Sequence, residues 1–106
     1  MAVPTMTVAE LKALQDAKKD FVLVDVREQE EYDTCRIAGS VLIPLRTLPS
    51  ALATLPKDKP IVVHCHHGGR SAQAVGFLNA QGYTATNLAG GIDAWSEEID
   101  QSVPRY

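Results

Sequence analysis

The chain has 106 residues, 45% hydrophobic and 22% charged, with a formal net charge of -3. That is enough chain for one domain, residues 1–106, with a core that needs no metal or disulfide staples. Scattered basic residues in an acidic chain argue against a nucleic-acid face, and no apolar run approaches the ~20 residues that span a bilayer.

Thr7 and Glu10 have capping-box spacing, and Leu11 and Leu14 follow at helical spacing, so the first helix is expected over Val8 to Ala17, after a short strand near Met6. Phe21 to Val26 is almost wholly apolar, as in a strand buried on both faces. Glu28 to Asp33 can form only a short acidic helix before Gly39. Ser40 to Ile43 is the next strand, ended by Pro44. Leu48, Leu52 and Leu55 lie at helical spacing, with Pro49 tolerable in the first turn and Pro56 as a stop.

Ile61-Val62-Val63-His64 is a further strand, and a helix pattern opens at Ser71 with Ala72, Val75 and Leu78 on one face and Gly82 at its end. Ala85 to Leu88 returns as a strand. Gly90-Gly91 then turns into a last helix, where Trp95 packs with Ile92 and Ile99 as core. This alternation predicts one α/β domain with a mainly parallel sheet, whose ligand site lies at the carboxyl ends of the strands. The start of the sequence lacks a basic segment followed by an apolar one, so a cytoplasmic location and no membrane partner are expected. In a reducing compartment Cys35 and Cys65 are expected as free thiols.

Cys65 falls where a strand ends and a helix begins. Unpaired backbone N–H groups and the helix dipole favour a thiolate there. Gly68 and Gly69 let the N–H groups of the loop converge on an anion. Arg70 would offset the charge of a bound anion or of a modified sulfur. His66 and His67 are candidates for shaping the loop mouth and, when protonated, for favouring the thiolate. His64 reads as structural. A metal held by these histidines with Cys65 is not expected, because four adjacent residues do not easily converge on one ion. Asp25 and Arg27 are expected to brace the loop as an ion pair or hydrogen-bonded pair. Gly90 and Gly91 would let a neighbouring loop approach, and Arg46 is a candidate for steering an anion, with a solvated surface charge as the alternative.

Three blocks in order resemble the rhodanese-like sulfurtransferases in their small single-domain form. They are Val24-Asp25-Val26-Arg27-Glu28 with Glu31-Tyr32 and Ile37-Ala38-Gly39-Ser40, then Cys65 to Ser71, then Leu88 to Trp95. The resemblance implies a five-stranded parallel sheet with helices on both faces and a Cys65 that cycles between thiolate and persulfide. It also implies an anionic donor such as thiosulfate, a thiol, cyanide or protein acceptor, and no metal or organic cofactor. Main-chain N–H groups from His66 to Ser71 would hold the sulfur. Arg36 and Cys35 depart from the family pattern. Both are expected at the sheet edge opposite the active site, which predicts no disulfide with Cys65.

Two other readings remain open. Related phosphatases use a C-x-x-x-x-x-R loop one residue longer than the stretch from Cys65 to Arg70, so phosphatase or arsenate-reductase chemistry ranks below sulfur transfer. A sulfur-relay or interaction module with little free turnover is the other.

Overall fold

A computed structural model describes residues 3–106. Its strands are β1 (Thr5–Met6), β2 (Val22–Asp25), β3 (Val41–Leu42), β4 (Pro60–His64) and β5 (Thr84–Leu88). Its α-helices are α1 (Val8–Asp16), α2 (Gln29–Thr34), α3 (Leu48–Ala51), α4 (Gly69–Ala80) and α5 (Gly91–Glu98). The strands form one sheet in the order β1-β5-β4-β2-β3, and every pair is parallel.

The apolar run of β4 shows why both faces must be covered. Ile61 and Val63 point into one core with Val24, Val75, Leu78 and Leu48, while Val62 points into the other with Leu23, Leu11, Ile92 and Trp95. Successive side chains of a strand face opposite ways, so a continuous β-branched run is stable only between two helical layers. Helices α3 and α4 supply one layer; α1 and α5, packed side by side, supply the other. The five-stranded parallel sheet with helices on both faces is therefore as expected.

Several boundaries differ from the sequence reading. Helix α4 begins at Gly69, two residues before Ser71, so the cysteine loop is shorter and Arg70 already belongs to the helix. The helix expected over Leu48 to Leu55 is only the four residues of α3 between two 3-10 turns, Leu45–Thr47 and Leu52–Thr54. Pro49 removes one amide donor from this segment, and three leucines bury it without a regular helix. At the end of α4, Gly82 has φ +91°, with Gly82 N–H on Asn79 O at 3.2 Å and Tyr83 N–H on Leu78 O at 3.1 Å. This is the double bond of a left-handed helix stop, and it directs the chain into β5.

The sheet register aligns polar groups at the carboxyl ends of its three inner strands. Asp25 of β2 is level with His64 of β4, and Asn87 of β5 is level with Val63. Asp25 and Arg27 are fully buried and paired, with Arg27 Nη2 2.6 Å from Asp25 Oδ2 and Arg27 Nε on both carboxylate oxygens. Arg27 also donates through Nη2 to Cys35 O at 2.7 Å. Removing one member of such a pair leaves a buried charge without compensation. Arg27→Met is expected to cost ~3 to 5 kcal/mol of stability, read by urea denaturation.

Candidate active site

Strand β4 delivers His64 to the sheet edge, and the chain turns through Cys65, His66 and His67 to Gly68, the residue before α4. Gly68 has φ +128°, a conformation that side chains rarely adopt. That turn points its N–H at Cys65 Sγ, 3.1 Å away. The Arg70 and Ser71 N–H groups also favour the anionic sulfur, and the Ser71 hydroxyl lies 3.3 Å from it. Burial, with Cys65 only 2% exposed, pushes the thiol up. Hydrogen bonding to the sulfur, led by the Ser71 hydroxyl when its one proton turns that way, outweighs burial, and Cys65 is held below the usual thiol range. Of the N–H groups expected from His66 to Ser71, that of Gly68 donates to the sulfur.

The loop is held from outside by α5. Ile92 N–H donates to Cys65 O at 3.0 Å, and Asp93 N–H donates to His66 O at 3.1 Å. A Cβ at Gly91 would lie 2.5 Å from each of those carbonyl oxygens, so the approach expected of Gly90 and Gly91 is real and depends on glycine. At Gly90, with φ +79°, a Cβ would lie 2.6 Å from the Ala94 Cβ. The first turn of α5 thus uses its free N–H groups to cap the loop.

Arg70 meets Glu31 of α2 in a two-pronged contact, Nη1 to Oε1 at 2.6 Å and Nη2 to Oε2 at 2.9 Å. Tyr106 Oη donates to the same carboxylate at 2.6 Å and accepts from Arg27 Nη1 at 3.0 Å. These contacts form one chain of charge from Asp25 through Arg27, Tyr106 and Glu31 to Arg70. Arg70 holds the Glu31 carboxyl down at about 2. Burial, reinforced by Glu31, pushes the Tyr106 phenol up to about 12.

The histidines separate into two environments. His64 is buried, its Nε2 unbonded and 3.7 Å from Asp25 Oδ2, and burial pushes its imidazole pKa down. His66 and His67 stack on each other, and His66 also stacks on Tyr106, each pair with centroids 4.0 Å apart. Burial, followed by the charge of His67, lowers the His66 pKa, so His66 is a weaker source of positive charge than the sequence reading assumed. His66, His67 and Asp93 bring donor atoms within 4.8 Å of one another. The Asp93 carboxylate already accepts from Arg105 Nε at 2.9 Å and Nη2 at 3.1 Å, so a cation there would have to displace Arg105.

Arg46 does not join the loop. It is a surface charge paired with Glu28 at 3.2 Å, the alternative that the sequence also allowed. Cys35 corrects the sequence reading more sharply. The chain after α2 runs back under Arg27, whose Nη1 lies 3.7 Å from Cys35 Sγ, so Cys35 sits at the active-site end of the sheet, beside the charge network. Both cysteines are free thiols.

Four residues at the site had not been singled out from the sequence: Glu31, Asn87, Asp93 and Tyr106. Asn87 carried a signal, as a side-chain amide just before the end of a strand expected to be buried. Tyr106 carried none, because its role depends on the tertiary path of the last residues.

A family model described as Rhodanese-like domain matches residues 7–98. The chain is 36% identical over 98 residues to the putative sulfurtransferase YtwF of Bacillus subtilis, covering 92% of this chain and 95% of that protein. It is 36% identical over 105 residues to the probable adenylyltransferase/sulfurtransferase MoeZ of Mycobacterium tuberculosis, but spans only 27% of that protein's length. The crystal structure of a rhodanese-like domain protein from Staphylococcus aureus superposes with a TM-score of 0.86 at 34% identity, covering 97% of this chain and 98% of that one.

Because the folded-state pKa of Glu31 is depressed, its contribution to stability is present above the unfolded value of 4.5 and is lost as pH falls toward about 2. Glu31→Gln is therefore expected to flatten the acid limb of a stability-versus-pH curve across that window, as measured by thermal melts.

Proposed function

This chain belongs to the rhodanese-like domain family, and we propose that it is a sulfurtransferase in which Cys65 alternates between thiolate and persulfide. The observation that carries this reading is the Cys65 sulfur at the base of a loop, accepting from the Gly68 N–H at 3.1 Å with the Ser71 hydroxyl 3.3 Å away. Such a cradle suits an anionic sulfur as attacking atom and, one S–S bond further out, as the terminal atom of a persulfide.

With thiosulfate as donor, the thiolate attacks the outer sulfur. An S–S bond forms to Cys65, the S–S bond of thiosulfate breaks, and its electron pair leaves with sulfite. An acceptor thiolate, its proton already lost to water, then attacks the outer persulfide sulfur. The new S–S bond joins sulfur to acceptor, and the released pair restores the Cys65 thiolate. Cyanide can take the sulfur in the same way. The chemistry needs no cofactor, because each step exchanges one sulfur–sulfur bond or moves sulfur to a nucleophile. Arg70, fixed at the loop by Glu31, contributes positive charge toward the oxyanion of the donor, while His66 and His67 form the mouth.

A second reading is delivery of sulfur to a protein acceptor with slow turnover on small thiols. In both readings thiosulfate or another sulfane donor should increase the intact mass by about 32 Da, one sulfur on the cysteine nucleophile. Cys65→Ser should abolish the mass increase and the transfer while leaving the melting temperature near that of the parent protein. Unaltered transfer by Cys65→Ser would sink the mechanism, and a persulfide that small acceptors discharge poorly would select the relay.

A further inference from the structure

Asn87 is a buried polar side chain, 6% exposed, that the chemistry above does not require. Its partners fix which way its amide faces. Gly68 O can only accept, and it receives Nδ2–H at 3.2 Å. Oδ1 then faces Ser71 Oγ at 2.5 Å, and since an amide oxygen can only accept, the Ser71 hydroxyl is the donor.

Ser71 has one hydroxyl proton, and its oxygen is also 3.3 Å from Cys65 Sγ. With the proton committed to Asn87, Ser71 turns a lone pair toward the sulfur, which suits a thiol S–H and not a thiolate. An anionic sulfur gains the hydroxyl proton only by drawing it from Asn87. Meanwhile the Gly68 peptide is held at both ends, its carbonyl by Asn87 and its N–H by the sulfur at 3.1 Å.

We propose that Asn87 is a positioning residue for Cys65: it competes with the sulfur for the Ser71 proton and anchors the loop glycine whose N–H reaches that sulfur. The inference rests on the reading of Cys65 as nucleophile, but not on which donor or acceptor the protein uses. The charged and titratable groups nearest the loop are Arg70 of α4 with Glu31 of α2, the Asp25–Arg27 pair with His64 below, and His66, His67 and Asp93 at the mouth. The hydrogen bonds of the Asn87 side chain are to Ser71 and Gly68, so a substitution there leaves those groups in place.

The test titrates the ultraviolet absorbance of the Cys65 thiolate against pH, with Cys65→Ser as the blank. Asn87→Leu frees the Ser71 proton for the sulfur and is expected to lower the midpoint by about half to one pH unit, the worth of one hydrogen bond. Asn87→Ala should move it the same way and serves if the leucine variant does not fold. Asn87→Asp should raise the midpoint, because a carboxylate holds the hydroxyl more strongly and adds negative charge. In a Ser71→Ala background the downward shift of Asn87→Leu should vanish or turn upward, since only the loss of the Gly68 anchor remains. Loss of packing alone would move the leucine and aspartate variants in the same direction, and that result would overturn the proposal. So would a downward shift that survives in Ser71→Ala. If the variants show the expected shifts but the wild-type protein takes up no sulfur from thiosulfate or a persulfide, the sulfur-transfer reading fails while the assignment of Asn87 stands.

Discussion

The arrangement at Cys65 depends on where two carbonyl oxygens point. Those of Cys65 and His66 are turned outward and bonded to the first N–H groups of α5, Ile92 and Asp93. Holding both carbonyls fixes the path of the chain from Cys65 to His67, and so the point at which the next residue, Gly68, brings its N–H to the sulfur. Gly91 makes this possible by having no side chain between the helix and the loop. One close approach of backbone to backbone therefore links the last helix to the electrostatics of the thiol. The same contact buries Ile92 and Trp95 against the sheet, so the packing that stabilises the fold also shapes the loop.

The charge network behind the loop obeys a different balance. Asp25 and Arg27 are removed from water entirely, and their attraction is set against a desolvation cost of several kcal/mol per ion. Pairs of this kind add little net stability, but they punish rearrangement severely. Arg27 also bonds Cys35 O and Tyr106 Oη, so the segment after α2 and the last residue converge on one guanidinium. At its outer end the network is partly exposed, and the Arg70–Glu31 pair is weakened by solvent and salt. The consequence is a rigid inner half beneath a more adjustable rim, where a donor would meet the protein.

The layering and the place of the cysteine loop at the end of β4 were legible because each is written locally. The β-branched run before Cys65 demands a strand covered on both faces. Gly68 announces a loop with unusual backbone, although Gly69 beside it is already helical, and the Gly90-Gly91 pair announces a close approach. Side-chain partnerships were less legible. Asp25 and Arg27 were expected as a brace because they are two apart at one strand end, whereas Glu31 and Arg70 come from segments with no sequence proximity. Cys35 was misplaced because the return path after α2 was assumed to carry it away from the strand ends, when the reach of a buried arginine brings it beneath the network. The 3-10 turns around α3 were missed because leucine spacing reports burial, and two buried leucines with a half-buried one between them do not need a continuous helix.

The protonation states around the loop also bear on which reaction such a cysteine can serve. Transfer of a phosphoryl group from an ester expels an alkoxide or phenoxide, a step that a neighbouring acid normally assists by giving up a proton. The carboxyl groups closest to the loop are poor sources of one. Glu31 is held down by Arg70, and Asp93 is held below the usual carboxylate range by Arg105. Burial pushes the imidazole pKa down at His64 and, with the charge of His67, at His66. Sulfite departs from thiosulfate as a stable anion and asks for no proton, and a thiolate released from a persulfide is likewise stabilised by the N–H groups it returns to. A site that supplies hydrogen-bond donors to sulfur, with its carboxyl groups committed to arginines, is therefore better matched to exchanging sulfur than to cleaving esters.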